Sequence, residues 1–435
     1  MKIGIIGCGY VFDHYLGAFG RYPALEIAGI ADRDAARRDQ AARHYRLRTY
    51  ASNAALLADP AIELVVNLTS IASHAEVTRA ALQAGKHVYS EKPLTGDLAE
   101  ARALFAVAEA RGLRLACAPC NVLSDSVQTL WRALRDGAIG APRLAYAEFD
   151  DGVIPLMRPE SWRSRSGAPW PWREEYEAGC TWEHAGYHLS WLCALFGPVA
   201  SVTAFSRQIA PDKTVATLDP PDTPDFSVAV LNFHSGLVAR LTFSICAPVD
   251  HRMRVIGRRG QLSLDSYRHY RCPVYLEIFD QISLNARKAM SVRRHAALGR
   301  LFGVGGRPLP LLRLPLPFGG TSLSGGRSPR ALIAALKRRE INDQDKAMGV
   351  AELAEAIRQD RPAFPPPDFT LHITELTLAI QAAGLKGAGA ALTTRFTPLE
   401  PRPQTWAAPA TPAQAQAAPF WRRWLGERLV ALHRH

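Results

Sequence analysis

The first 32 residues limit the possible folds of this chain more than any other stretch. Lys2 to Ile6 is a short apolar run, followed by Gly7-Cys8-Gly9-Tyr10-Val11-Phe12 and a helical pattern through Phe19. A second apolar run over 25–31 ends at Asp32. Strand, glycine turn, helix, strand, acid is the order of a βαβ dinucleotide-binding unit. Gly7 permits the tight turn, and Gly9 lets the backbone approach a pyrophosphate. The helix start, from Tyr10 and Val11, offers free N–H groups and a positive dipole end. The Asp32 carboxylate can accept hydrogen bonds from adenosine hydroxyls and would repel a 2′-phosphate. Arg33, Arg37 and Arg38 act in the opposite sense, because arginines pair with phosphate. NAD is therefore the expected cofactor, and NADP stays open. Phe12 stands where a third small residue is usual, so its ring must point elsewhere or push the helix outward.

The alternation continues. A β-rich run over 62–68 leads into Thr69-Ser70, a helical pattern covers 72–84, and a run over 85–89 leads into Ser90-Glu91-Lys92-Pro93. Another helix is predicted over 97–110, before a strand near Leu113. Strands alternating with helices at this spacing predict a parallel sheet with ligands at the carboxyl ends of its strands. Thr69, Ser70, Glu91 and Lys92 sit at such ends.

At 435 residues the chain calls for two or three domains. No apolar run reaches the roughly 18 residues of a membrane span, and the opening residues lack a signal-peptide pattern, so the cytoplasm is expected. Seven scattered cysteines are not a disulfide framework. Cys117 and Cys120 form a CxxC pair at a strand-to-loop junction, with no second pair to complete a zinc site, so no metal is expected. The net charge of +12 comes mostly from 282–340, with twelve Lys and Arg against the single acid Glu340. The rest is close to neutral, which argues against a general nucleic-acid binder.

Glu91-Lys92-Pro93 after a short strand, downstream of the glycine turn and Asp32, resembles the Gfo/Idh/MocA oxidoreductases. The likeness extends over 1–395 and is clearest before residue 200. Supporting matches are His74, Asn121, Trp162-Arg163, the segment from Gly179 to His188, and two closing helical segments over 349–357 and 371–380. The resemblance implies an α/β chain: an N-terminal Rossmann domain (1–122), then an α/β domain built on a large, mostly antiparallel sheet (123–395). An exposed sheet face would join copies into a dimer or tetramer. It also implies that Lys92 lies near the nicotinamide and the reacting hydroxyl, and that His74, Glu91 and Asn121 lie on the cofactor side.

Lys92 has a chemical rationale of its own. An ammonium group can hold a substrate oxygen, steady an alkoxide and relay a proton. His184 and His188 are four apart and share a helix face. The family usually has Asp and then His at these places, so His188 matches the acid/base position and His184 replaces the carboxylate. Glu183 points elsewhere on a helix and is not expected to substitute for it. Five tryptophans crowd 162–191; most read as packing, with Trp162 and Arg163 as candidates for a sugar pocket beside Lys92, His184 and His188.

Residues 298–326 are rich in Gly, Pro, Arg and Leu within a basic insertion near 282–330. The prolines exclude a regular helix or central strand, and the leucines imply a surface that the segment covers. Residues 396–435 read as a Pro/Ala/Gln-rich linker and an amphipathic segment (420–433), which docks on protein in the first reading and on an anionic membrane in the second. The functional expectation is hydride transfer between NAD(P) and a secondary alcohol of a sugar, cyclitol or nucleotide-linked sugar. A redox-assisted glycosidase and a non-catalytic cofactor- or sugar-binding protein are the alternatives.

Overall fold

The computed structural model describes residues 1–321 and 343–402, with Ile333, Trp424 and Arg428 besides. Apart from Trp424 and Arg428, the amphipathic segment over 420–433 lies outside the described residues, as do most of the linker and the last residues of the basic insertion. Among the described residues, no helix is long and apolar enough to cross a membrane.

The N-terminal half alternates as its sequence implies: β1 (Lys2–Ile6), α1 (Phe12–Phe19), β2 (Glu26–Ala31), α2 (Ala35–Tyr45), α3 (Asn53–Leu57), β3 (Leu64–Asn67), α4 (Ile71–Gln83), β4 (His87–Ser90), α5 (Leu98–Ala110) and β5 (Leu115–Cys117). The strands form one sheet in the order β2-β1-β3-β4-β5, every pair parallel. β3 is buried at all four positions, as a sheet covered on both faces requires. Side chains start the helices: Asp34 accepts from the Arg37 amide, Ser52 from Ala55 and Asp97 from Glu100.

The second half begins with α6 (Asp125–Arg135) and the long β6 (Pro142–Val153). Next come α7 (Trp172–Ala178), α8 (Cys180–Phe196), β7 (Val199–Arg207), β8 (Phe226–Phe233), β9 (Val238–Ser244) and β10 (Cys246–Asp250). β11 (Met253–Gly257), β12 (Gly260–Leu264) and β13 (Val274–Ile278) complete the run. With β14 (Arg307–Pro308) and β15 (Ala388–Ala391) they build a ten-stranded sheet, β14-β13-β12-β11-β6-β9-β8-β7-β15, with β10 on β6. It is mostly antiparallel, and β6 against β9 is a parallel pair.

α8 is buried almost all round because it lies between this sheet and the helix α13 (Pro367–Gln381). The preceding helix, α12 (Ala347–Arg358), returns to the first domain. There Gly349 lies so near Tyr89 that an added Cβ would sit 2.2 Å from the phenol oxygen. This close approach draws residues 345–349 to the carboxyl ends of the parallel strands.

The basic insertion opens with three short helices, α9 (Gln281–Ala286), α10 (Met290–Arg294) and α11 (Ala296–Leu301). Residues 298–301 are thus helical, against the expectation for 298–326, because the first proline stands only at 308. From there the leucine run lies along α6, with the Leu312 amide donating to Thr129 at 2.8 Å and Leu312 buried. It reaches the first domain where the Thr321 amide donates to the Arg21 carbonyl at 2.7 Å.

Candidate active site

The glycine turn carries the geometry that a dinucleotide needs. Gly7 has φ +98°, and an added Cβ would meet the Leu68 backbone at 2.5 Å. At Gly9 an added Cβ would meet nothing within 4 Å, so the backbone faces open space. The Tyr10 and Val11 amides have no acceptor among the described residues. Asp32 spans the turn, accepting from the Cys8 amide at 2.7 Å and the Asp34 amide at 2.8 Å. Each of its oxygens keeps a lone pair for a ribose hydroxyl. Arg38 is tied to Asp39 and the Tyr50 carbonyl, and Arg37 lies 3.8 Å from Asp34, whereas Arg33 is exposed. The cradle fits a nicotinamide dinucleotide.

Three residues expected at the cofactor turn out to brace the fold. Phe12 turns inward: it is fully buried, edge-on to Tyr45, and its amide donates to the Gly9 carbonyl. The ring is accommodated against Tyr45 at the end of α2. His74, buried, lies 2.7 Å from the Pro93 carbonyl and 3.0 Å from the Thr69 carbonyl, holding the end of β3 to the Lys92-Pro93 segment. Asn121 donates to the Tyr187 carbonyl at 3.0 Å and so fixes α8 against the first domain. Thr69 and Ser70 are half-buried at the end of β3, where the cleft opens.

Past β4 the charges converge. The Glu91 carboxylate receives the Tyr15 hydroxyl at 3.1 Å, the Lys92 amide at 2.9 Å and Lys346 Nζ at 3.0 Å. Burial alone would raise its pKa, but Lys346 and Lys92 pull it down to about 2, so it stays anionic. Lys92 Nζ donates to the Glu183 carbonyl at 2.8 Å and to Glu183 Oε2 at 2.5 Å. Its third N–H has no acceptor among the described residues. Burial disfavours its charge, but Glu183 more than offsets this and holds Lys92 protonated.

The face of α8 turned to Lys92 is one residue earlier than expected. Glu183, not His184, supplies the carboxylate, and the Tyr187 ring centroid lies 5.8 Å from Lys92 Nζ. Tyr187 shares a hollow with Tyr15, Glu91 and Lys346. His184, half-buried, stacks on Phe149 at 4.9 Å, and burial lowers its pKa to about 4 although Asp151 acts to raise it.

His188 does not reach the cleft. It is 0% exposed, with Nε2 3.3 Å from the His251 carbonyl, and burial lowers its pKa to about 3. Its neutral ring packs among Phe149, Trp191 and Tyr267. A His188→Leu variant is therefore expected to keep kcat within about threefold of wild type while melting at lower temperature, because its role is packing.

Trp162 and Arg163 lie in a strap across α1 rather than against Lys92. The Trp162 indole packs on Trp170 and donates to the Met157 carbonyl at 3.0 Å, and Arg163 donates to the carbonyls of Glu160 and Trp162. The strap is clasped where Ser166 donates twice to Asp13 and Gln40 donates to the Ser166 carbonyl. Sequence reasoning missed Tyr187, on the same helix as His184 and His188, and Lys346 and the Asp151–Arg268 pair, which come from distant segments. Asp151 receives Arg268 at 2.7 Å and His251 Nε2 at 3.0 Å. Among the described residues no group of three His, Cys, Asp or Glu could hold a metal ion.

Two family models match the chain. One, described as an oxidoreductase family with an NAD-binding Rossmann fold, covers residues 1–118; the other, the GFO/IDH/MocA C-terminal domain, covers 127–263. D-apiose dehydrogenase of Paraburkholderia graminis is 34% identical over 142 residues, 32% of this chain and 38% of that protein. UDP-N-acetylglucosamine 3-dehydrogenase of Acidithiobacillus ferrooxidans is 36% identical over 151 residues, 34% of this chain and 45% of that protein. These alignments span less than half of either relative. A solved structure of the second superposes with a TM-score of 0.60 at 20% identity, over 88% of this chain and 97% of that one. A Bordetella pertussis dehydrogenase solved with NADH and UDP-GlcNAcA gives a TM-score of 0.60 at 17% identity, over 87% and 94%. These likenesses establish a shared fold. With both domains matched in sequence, the chain belongs to the Gfo/Idh/MocA oxidoreductase family.

Proposed function

We propose that this chain is an NAD-dependent oxidoreductase acting on a secondary alcohol of a sugar, with a nucleotide-linked sugar as the favoured substrate. The observation that carries the reading is the Lys92 ammonium group, anchored by two bonds to Glu183, with one N–H that meets no acceptor among the described residues, at the carboxyl end of β4. That is the edge of the sheet where the Gly7–Gly9 turn opens. Nicotinamide, when bound, accepts or donates the hydride. Tyr10 and Val11 would hold the pyrophosphate through their amides, and Asp32 the adenosine ribose. The free Lys92 N–H would hold the substrate oxygen and stabilise its negative charge as the C–H bond changes hands. The Tyr187 hydroxyl group would exchange the oxygen's proton, the part that the sequence had assigned to His188.

A nucleotide-linked sugar is favoured because the hollow beside Tyr187 is lined by Lys346, whose ammonium group gives one N–H to Glu91 and has further donors for a diphosphate oxygen. The relative named UDP-N-acetylglucosamine 3-dehydrogenase supports the same class, whereas D-apiose dehydrogenase is named for an unlinked sugar. The test is turnover of NAD with UDP-N-acetylglucosamine and with unlinked sugars, followed by the formation of reduced nicotinamide. Turnover of unlinked sugars alone would overturn the nucleotide part of the reading.

The domain limits are proposed as 1–122 and 123–395, in the cytoplasm, and the chain as a homo-oligomer joined through the open face of its large sheet. A row across that face sets Val230, Arg240, Tyr146 and Arg254 side by side. Val230 is 38% exposed, and Arg240 and Arg254 both lie over the Tyr146 ring. Light scattering after gel filtration is expected to give a dimer or tetramer, and Tyr146→Asp with Val230→Asp a monomer. A monomeric wild type would remove the proposal.

A further inference from the structure

The three short helices that open the basic insertion form a knob at the edge of the large sheet. Their inward residues, Ile282 and Ala286 of α9, Val292 of α10 and Phe302 after α11, make a small core of their own. The knob is pinned to β13, where Arg287 pairs with Glu277 and the Gly305 amide donates to the same carboxylate at 3.3 Å. The outward residues are of two kinds. Leu284, Met290, Leu298 and Leu301 are 47%, 56%, 37% and 45% exposed. Leu298 and Leu301, three apart, share one face of α11. Among them stand cations: residues 281–321 hold seven Lys and Arg and no Asp or Glu. Asp280, just before this stretch, caps α9 by accepting from the Ser283 amide at 2.6 Å. Arg287 is taken by Glu277, but Lys288, Arg293, Arg294, Arg300 and Arg307 are exposed and pair with no carboxylate among the described residues.

We propose that this knob is a docking surface for anionic lipid. It rests on a bilayer that carries acidic headgroups, its exposed leucines and Met290 entering the boundary between headgroups and acyl chains. The five uncommitted cations meet headgroup phosphates. Complementary charge selects this partner, since a surface of cations without anions attracts an acidic leaflet. The long stems of Lys and Arg let their charged ends reach phosphate while the neighbouring aliphatic side chains lie deeper. A second copy of the chain does not fit, because two such knobs would set like charges face to face. A nucleic-acid strand fits less well. Its bases stack on aromatic rings, whereas the large apolar residues exposed here are aliphatic and Phe302 is buried. The attachment is peripheral, as no helix among the described residues is long and apolar enough to cross a membrane. It is independent of the chemistry at Lys92 and brings that chemistry to a membrane surface.

Sedimentation of the full chain with vesicles tests the proposal. Vesicles of phosphatidylcholine with about one third phosphatidylglycerol are expected to bind it at least about tenfold more tightly than phosphatidylcholine alone. Binding should weaken as salt rises from about 0.1 to 0.5 M. Arg293→Glu with Arg294→Glu, and separately Leu298→Gln with Leu301→Gln, should each weaken it at least about fivefold. All four side chains are exposed, so both variants should melt within about 3 °C of wild type. A wild-type chain that binds neither vesicle, or both equally, would overturn the proposal. Variants that bind as tightly as wild type would place the lipid contact elsewhere in the chain and overturn it too. If the leucine variant alone keeps full binding and a single-stranded oligouridine displaces the vesicles, the knob is a polyanion site and the lipid assignment is wrong.

Discussion

Lys92→Ala is expected to lower kcat/KM by about 10²–10⁴-fold while leaving NAD affinity within about threefold of wild type. The split follows from geometry. Lys92 Nζ meets Glu183, on the substrate side, and its backbone amide alone meets Glu91. Removing the ammonium group deletes a donor that would strengthen as charge grows on the substrate oxygen, and such a donor contributes to kcat rather than to cofactor binding. It also leaves the Glu183 carboxylate buried without its cation, which costs stability on the order of 3 kcal/mol. Lys92→Met is the companion variant, because it keeps the stem of the side chain. Steady-state kinetics with a calorimetric NAD titration checks both. A variant of wild-type kcat would remove Lys92 from the chemistry.

Asp32→Ala is expected to act in the opposite place. Its carboxylate joins the Cys8 amide in the glycine turn to the Asp34 amide after β2, and both bonds disappear with it. The buried Cys8 amide would lose its acceptor at about 1–3 kcal/mol, and the part-buried Asp34 amide at less, because water can reach it. NAD affinity should fall by about 10–100-fold, with little change in kcat at saturating cofactor. Because the carboxylate also repels a 2′-phosphate and Arg33 is exposed beside it, NADP should lose less, and the preference for NAD should narrow or reverse. Equal losses for the two cofactors would show that Asp32 does not read the ribose.

Stability should fall as pH drops from about 6.5 toward 3. Burial lowers His188 to about 3, and His184 and His372 to about 4, from 6.5 in the unfolded chain. The unfolded chain therefore binds more protons through this window, and the stability present above it is lost on acidification. The loss is on the order of a few kcal/mol. Thermal melts across pH should show the slope, and His188→Leu should flatten it. A pH-independent melt over this range would contradict the burial.

The fold was legible because its signals are local. The glycine turn, the spacing to Asp32 and the strand–helix alternation each lie within a few tens of residues, and the observed strands fall where those signals put them. The site was legible only in part. Lys92 stood in a recognisable motif, but α8 offers two i, i+4 pairs, Glu183/Tyr187 and His184/His188, one residue apart. A shift of one residue turns a helix by about 100°, and both pairs carry polar groups, so periodicity alone cannot say which faces the cleft. Burial against β6 and β9 decides it, and that depends on a sheet assembled from the whole second half. Lys346 carries no local signal: it stands just before α12, and only the chain's return to the first domain brings it to Glu91. The Pro- and Leu-rich run was expected to cover a surface, and it lies along α6, yet its target could not be read from composition.

A crystal structure of the full chain with NAD is the decisive measurement. The pyrophosphate should rest on the Tyr10 and Val11 amides beside Gly9, the adenosine ribose on Asp32, and the nicotinamide ring in front of Lys92, within reach of a substrate held by its free N–H. NAD bound with its ring turned away from Lys92, or no binding at the glycine turn at saturating NAD, would contradict the assignment of this chain as an NAD-dependent sugar oxidoreductase.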